Sequence, residues 1–74
     1  MNEELRKLGF SKREAEVAIV VAKGRTNKEA GSDLFVTEKT IKFHLTNIYK
    51  KAKINSRTQL SLYIGELCLT NNLT

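Results

Sequence analysis

The 74-residue sequence contains no proline, no tryptophan, four glycines and a single cysteine, Cys68. A chain without proline favours helices joined by short turns over a many-stranded sandwich. One cysteine cannot form an intramolecular disulfide, which indicates a reducing compartment and excludes the disulfide-framework class. The longest apolar run, Val17–Ala22, is too short to span a bilayer, and residues 1–4 do not resemble a signal peptide. We therefore expect one small cytoplasmic domain with no membrane contact.

The net charge of +5 is concentrated in one stretch of the chain. Residues 37–57 carry six basic residues and one acidic residue, whereas the remaining segments are close to neutral. A localised positive field suits an element that binds a polyanion. A solvated, lysine-rich helix face would give the same charge count, so charge alone leaves both interpretations open.

Helix start signals predict an all-α fold. Capping boxes, in which a Ser or Thr side chain and a Glu or Gln three residues later exchange hydrogen bonds with the backbone, occur at residues 11–14, 26–29 and 56–59. Thr37 is a fourth candidate N-cap. Together with the apolar periodicity, these signals predict four helices, at about residues 11–23, 27–34, 38–53 and 57–69.

The second and third predicted helices are separated by only three residues, which is typical of a helix-turn-helix motif. The predicted domain covers residues 11–69, between an N-terminal extension at 1–10 and a frayed tail at 70–74.

The third predicted helix has two contrasting faces. Its core-facing arc consists of Ile41, Leu45, Ile48 and Ala52, and the opposite arc of Lys39, Lys42, Phe43, Thr46, Lys50 and Lys53. A helix of this kind can enter the DNA major groove, where base edges are distinguishable. We predict that the side chains of Lys42, Phe43 and Thr46 read bases. Those of Lys39, Lys50 and Lys53 are predicted to contact phosphates. The alternative for Phe43 is that it packs on the N-terminal segment.

Catalytic chemistry finds no support in the sequence. His44 is the only histidine, and it has no partner at metal-ligand spacing and no nucleophile to activate. We expect a structural histidine, no cofactor, no metal site and no enzymatic activity.

Five ordered motifs resemble the LuxR/GerE family of bacterial transcription regulators. They are FSKREAEV at 10–17, GRTNKE at 24–29, LFVTEKTIKFHL at 34–45, NIYKK at 47–51 and NSR at 55–57. The resemblance spans residues 10–64. It implies a four-helix DNA-binding domain, of the stand-alone GerE type or excised from a longer regulator, in which the last helix makes the dimer contact.

The resemblance also implies roles for individual residues. The base-reading positions fall on Lys42, Phe43 and Thr46. The backbone contacts fall on Thr26, Asn27, Lys28, Thr37, Lys39, Thr40, Asn47, Lys50, Ser56 and Arg57. Glu14 and Glu16 are interpreted as capping and ion-pair residues. For Arg57, the alternative to a phosphate contact is an ion pair of this kind.

The sequence departs from the family pattern at several core positions. Small residues stand at Ala18, Ala30–Gly31 and Ala52, where the family usually has larger ones, and Gly31 costs about 1 kcal/mol of helix propensity. Apolar Ile19 and Phe35 stand where the family is usually polar. We expect these two to refill the core, the alternative being an additional contact patch.

The last predicted helix carries two apolar stripes. Leu60, Ile64 and Leu67 are expected to seat it on the core. The second stripe is the predicted dimer interface and comprises Ser61, Leu62, Gly65, Cys68 and Leu69. The alternative is one wide face buried within the monomer.

The sequence therefore predicts a homodimeric, sequence-specific regulator of transcription that binds a two-fold-related site in double-stranded DNA. RNA polymerase or another regulator is a further candidate partner. The alternative is a small interaction protein that pairs with a larger LuxR-type regulator and modulates or blocks it.

Overall fold

The computed structural model describes the backbone of residues 2–73 and the side chains of residues 3–67. Over this part of the chain the fold is all-α, which confirms the predicted class. The described residues form five helices: α1 (Asn2–Lys7), α2 (Lys12–Ala22), α3 (Asn27–Leu34), α4 (Glu38–Ala52) and α5 (Arg57–Leu73). None of the described helices is long and apolar enough to cross a membrane.

Two of the three predicted capping boxes are confirmed. Ser11 Oγ accepts a hydrogen bond from Glu14 N at 3.1 Å, and Glu14 Oε1 accepts one from Ser11 N at 2.9 Å. The box at residues 26–29 has the same two bonds at the same two distances. Each box satisfies backbone donors that the first helical turn cannot pair. Helices α2 and α3 therefore begin where the sequence predicts.

The third predicted capping box differs from the prediction in one bond. Ser56 Oγ accepts from Gln59 N at 3.2 Å, as expected. The Gln59 side chain, however, accepts from Asn55 N at 2.7 Å and not from the backbone of Ser56. The cap of α5 thus reaches one residue further back than a standard box.

The turn between α3 and α4 is tight and depends on Gly31. Phe35 ends α3 in the left-handed conformation with φ 60°, and Val36 N donates to Gly31 O at 2.9 Å. A Cβ atom on Gly31 would lie 2.7 Å from Val36 O. The turn therefore passes closer to α3 than a larger residue would allow. Thr37 then caps α4 by accepting from Thr40 N at 3.1 Å.

The core is arranged around α2, which contacts all four other helices. The predicted core arc of α4 is confirmed, because Ile41, Leu45 and Ile48 are buried and Ala52 is half-buried. Leu60 and Ile64 of α5 are also buried. Each such side chain stabilises the fold by about 1.5–3 kcal/mol relative to an exposed one. The buried face fixes which side of α4 is left exposed.

Within the predicted N-terminal extension at residues 1–10, α1 packs against α2. Leu5 of α1 is fully buried, and Phe10 is nearly so. The Phe10 ring lies 6.5 Å from that of Tyr63 on α5. At the other end, α5 continues to Leu73, beyond the predicted end at residue 69. Thr74, the last residue of the predicted frayed tail, lies outside the described residues.

The expectation that Ile19 and Phe35 both refill the core is wrong for Phe35. Ile19 is half-buried and packs against the core, as expected. Phe35 is 94% exposed, because the left-handed cap at the end of α3 turns its side chain away from the domain. Ala18, Ala30 and Gly31 are buried, so three of the small residues do lie inside the domain.

Candidate nucleic-acid interface

The exposed side of α4 and its C-cap forms one continuous polar surface, which we call the cationic face. It consists of Lys39, Lys42, Phe43, Thr46, Lys50 and Lys53, all of them exposed. Phe43 is 63% exposed, and its ring lies edge-on to that of half-buried His44 at 5.7 Å. The alternative in which the N-terminal segment covers Phe43 therefore does not hold. The structure brings the predicted base-reading residues together on a surface that no other described part of the chain covers.

The hydrogen bonds of Lys42 and Thr46 define what each presents to a partner. Lys42 Nζ lies 3.7 Å from Glu38 Oε2, one turn earlier, in an exposed pair that is worth little in water. Thr46 Oγ1 donates to Lys42 O at 3.0 Å. The Thr46 hydroxyl therefore offers its lone pairs as acceptors, together with its methyl group. One long donor and one short acceptor thus flank the Phe43 ring.

The predicted backbone-contact residues lie at three places. The first place is the start of α3, with Thr26, Asn27 and Lys28. The second is the start of α4, with Thr37, Lys39 and Thr40. The third runs from the second half of α4 to the start of α5 and comprises Asn47, Lys50, Lys53, Ser56 and Arg57. The first two places are helix N-termini, where the aligned peptide dipoles favour an anion. Most of these side chains are exposed, whereas Asn27, Thr40, Asn47, Ser56 and Arg57 are half-buried.

Arg57 is engaged within the domain. Its Nη1 donates to Asn27 Oδ1 at 2.6 Å, and its Nη2 donates to the carbonyl oxygen of Arg25. The alternative in which Arg57 pairs with Glu14 or Glu16 is therefore wrong. The guanidinium group instead joins the start of α5 to the start of α3.

Glu14 caps α2 with Ser11 as predicted, and both acids of α2 form ion pairs, Glu16 with Arg13 at 3.5 Å and Glu14 with Lys51. Lys51 Nζ contacts Glu14 Oε1 at 2.6 Å and Gly9 O at 3.1 Å. Burial by itself raises the pKa of Glu14, but hydrogen bonds from Lys51 and Ser11 outweigh burial and leave that pKa lowered. Lys51 therefore points away from the cationic face. The sequence does contain a signal for this orientation. Lys51 comes three residues after buried Ile48, and residues three apart lie on the same side of a helix.

The charges of residues 25–36 are largely neutralised among themselves. Arg25 forms a two-point contact with Asp33, at 2.8 and 3.1 Å, and lies 3.5 Å from Glu29. The hydrogen bonds to Asp33 raise the pKa of Arg25, and the same contact lowers the pKa of Asp33. Both groups stay charged at neutral pH. Residues 25–36 therefore add no net charge to that of the cationic face.

The predicted dimer residues are exposed where their side chains are described. Ser61 and Gly65 are exposed, and Leu62 is 64% exposed. Because neighbouring Leu60 and Ile64 are buried, α5 does present two separate faces over residues 60–65. The alternative of a single face buried within the monomer does not hold there. Cys68 and Leu69 lie outside the described side chains.

Within residues 3–67 no group of three or more His, Cys, Asp and Glu side chains is arranged to hold a metal ion.

Comparison with known proteins assigns most of the chain to one family. Residues 8–64 match the GerE profile, described as bacterial regulatory proteins of the luxR family. The chain is 46% identical over 62 residues to the transcriptional regulatory protein LiaR of Bacillus subtilis, covering 84% of this chain and 29% of that protein. It is 40% identical over 65 residues to the uncharacterized transcriptional regulatory protein YhcZ of the same organism, covering 88% and 30%.

The response regulator protein VraR of Staphylococcus aureus is 40% identical over 54 residues, covering 73% of this chain and 26% of that protein. The chain therefore spans less than a third of the length of these relatives.

Proposed function

This chain belongs to the LuxR family of bacterial regulatory proteins, and on that premise we propose that it regulates transcription by binding specific sequences in double-stranded DNA. The observation that carries the proposal is the exposed cationic face of α4. Its opposite face is fixed in the core by Ile41 and Ile48, so the helix is held rigidly with one side free. No reactive group is needed for this function, because binding alone accounts for it.

Specificity is proposed to come from the centre of the cationic face. Lys42 can exchange its weak contact with Glu38 for the O6 and N7 acceptors of guanine. Phe43 offers an apolar surface to a thymine methyl group. Thr46, whose hydroxyl proton bonds its own helix, can accept a hydrogen bond from adenine N6 or cytosine N4.

Affinity is proposed to come from the outer lysines of the cationic face together with Lys28 at the start of α3. Lys28, Lys39, Lys50 and Lys53 are exposed, and none of them forms an ion pair within the described residues. Contacts from these ammonium groups to phosphates would fix the register of the protein on DNA and make binding sensitive to salt. Such a role also places the chain in the bacterial cytoplasm.

Dimerisation through α5 is the second part of the proposal. Leu62 offers an exposed apolar side chain, and Ser61 and Gly65 beside it are small enough for another helix to approach closely. A two-fold contact between identical helices would place two copies of α4 about one DNA turn apart. The expected binding site is therefore a palindrome.

The test is a selection of binding sites from random duplex DNA with the 74-residue chain, run at two salt concentrations. Recovery of a palindromic motif at both concentrations would support specificity and dimerisation together. A single half-site motif would retain specificity and exclude the dimer. Salt-sensitive binding without any motif would overturn the proposal, since it would reveal only a nonspecific polycation.

A second function is favoured by one observation. Phe35 is 94% exposed at the turn before α4, so an apolar surface exists outside the proposed interface. A chain that pairs with a larger LuxR-type regulator and blocks it could use this residue together with α5. Replacing Lys42 and Thr46 by alanine separates the two functions. Regulation that survives both changes would favour the interaction protein, and regulation that fails would favour DNA binding.

A further inference from the structure

A side-chain contact between distant parts of the chain joins α5 to the start of α3. Arg57, the first residue of α5, sends its guanidinium group to residues thirty and thirty-two positions earlier. Nη1 donates to Asn27 Oδ1 at 2.6 Å, and Nη2 donates to the Arg25 carbonyl. Arg57 and Asn27 are both half-buried. Two of the five guanidinium donors are thus used inside the domain, in the fork geometry that only arginine provides.

This contact determines the orientation of the Asn27 amide. A guanidinium group has donors and no acceptor, so the amide must turn its oxygen towards Arg57. The NH₂ group of Asn27 then lies on the other branch of the planar amide, away from Arg57. Asn27 is the first residue of α3, directly after the Thr26 cap, where the helix dipole favours an anion.

We infer that Arg57 is a positioning residue for DNA binding: it orients the Asn27 amide so that its NH₂ group donates to a phosphate, and it does not itself neutralise one. The inference rests on the proposed function. It replaces the predicted phosphate contact by Arg57 with an indirect role. Because Arg57 is the first residue of α5, the same hydrogen bonds connect the start of the proposed dimer helix to the proposed DNA contact at Asn27. We expect α5 and α3 to keep the same relative position when DNA binds.

The test compares substitutions at Arg57 by the affinity and the salt dependence of binding to the selected site. Arg57→Gln is expected to weaken binding about 3- to 10-fold per protomer, the value of one ordinary hydrogen bond. The slope of log K against log salt is expected to stay the same. Arg57→Lys is expected to lose as much affinity as Arg57→Gln, because an ammonium group cannot form the fork. Lys28→Gln is the matched control, and should lower the slope by about 0.9 per protomer.

Substitutions of Asn27 distinguish positioning from a purely structural role. Asn27→Ala is expected to weaken DNA binding as much as Arg57→Gln, and the double variant no further. Asn27→Asp keeps an acceptor for Arg57 and favours the helix start, so the domain should fold as stably as the original. It nevertheless turns an oxygen towards the phosphate and should bind more than 10-fold less tightly.

Two results would overturn the inference. One is that Arg57→Gln lowers the salt slope as much as Lys28→Gln while Arg57→Lys binds normally, which would make Arg57 a direct phosphate contact. The other is normal DNA binding by Asn27→Ala or Asn27→Asp. Both results leave the unsubstituted chain binding its site, whereas failure of the proposed function would leave no specific site to measure.

Discussion

The contact between Lys51 and Glu14 should stabilise the domain and hold α4 against α2. Lys51 lies near the end of α4, and its ammonium group bridges Glu14 of α2 and the Gly9 carbonyl. The change Lys51→Met keeps the methylene chain and removes the charge, so the loss measured is that of the ammonium contacts. Glu14 would remain 7% exposed and without its cation.

The free energy of unfolding that Lys51→Met is expected to lose lies between two limits. Exposed ion pairs contribute about 0.2–1 kcal/mol, and breaking a fully buried pair costs about 3–5 kcal/mol. Here the carboxylate is buried and the lysine is 41% exposed, and Ser11 N still donates to Glu14. We therefore expect a loss of about 2 kcal/mol, which for a domain of this size lowers the melting temperature by about 8–16 °C.

The effect should also depend on pH. Because the pKa of folded Glu14 is lowered from its ordinary value of 4.5, its carboxylate stabilises the domain above that value. This stabilisation is lost as the pH falls through the lowered pKa. Lys51 makes the largest of the contacts that lower the pKa of Glu14, so that pKa should be higher in Lys51→Met than in the original chain. The difference between the two proteins should therefore be largest at neutral pH and shrink below about pH 4.5.

Thermal and urea unfolding between pH 3 and pH 7, followed by circular dichroism, measures both effects. Lys12→Met is the matched control, since Lys12 is exposed and has no ion pair within residues 3–67; it should change stability by less than about 0.5 kcal/mol. Loss of less than 0.5 kcal/mol for Lys51→Met at pH 7, or a difference that does not change with pH, would refute the reasoning.

Three further predictions concern the turn that precedes α4, and thermal unfolding tests each of them. Gly31→Ala gains about 1 kcal/mol of helix propensity, but its Cβ would lie 2.7 Å from Val36 O. We expect a net loss of about 1 kcal/mol, and a more stable variant would contradict the close approach. Phe35→Asn should raise the free energy of unfolding by about 0.5–1 kcal/mol, because asparagine adopts φ 60° more readily than phenylalanine. A decrease of more than about 1 kcal/mol would show that Phe35 packs on the domain. Thr37→Ala should lower the free energy of unfolding by about 1 kcal/mol, because the cap of α4 is lost. Thr37→Ser keeps the capping hydroxyl and should be as stable as the original chain. Equal stability of the two variants would contradict the capping role of Thr37.

Features that depend on neighbouring residues could be predicted from the sequence. The caps at Ser11, Thr26 and Thr37 are bonds between residues three apart, so a short window contains both partners. The two faces of α4 follow from the helical period, because Ile41 and Ile48 repeat at core spacing. These local signals located four of the five helices and the exposed surface.

Features that depend on distant partners could not be predicted in this way. Helix α1 has six residues and is too short to be stable alone, so it depends on the burial of Leu5. Lys51 forms its ion pair with Glu14, thirty-seven residues earlier in the chain, and Arg57 donates to Asn27, thirty residues earlier. The outward turn of Phe35 follows from a single left-handed residue. In each case the sequence shows the groups but not the contact.

The most direct test of base reading by α4 is a repeat of the binding-site selection with Lys42→Ala, beside Lys50→Ala as the matched control. Both variants remove one exposed cation from the same helix. Lys42→Ala is expected to relax the preference at one base pair in each half-site, and Lys50→Ala to weaken binding evenly without changing the motif. An unchanged motif for Lys42→Ala, or the same relaxed motif for both variants, would contradict the assignment of the cationic face to the major groove.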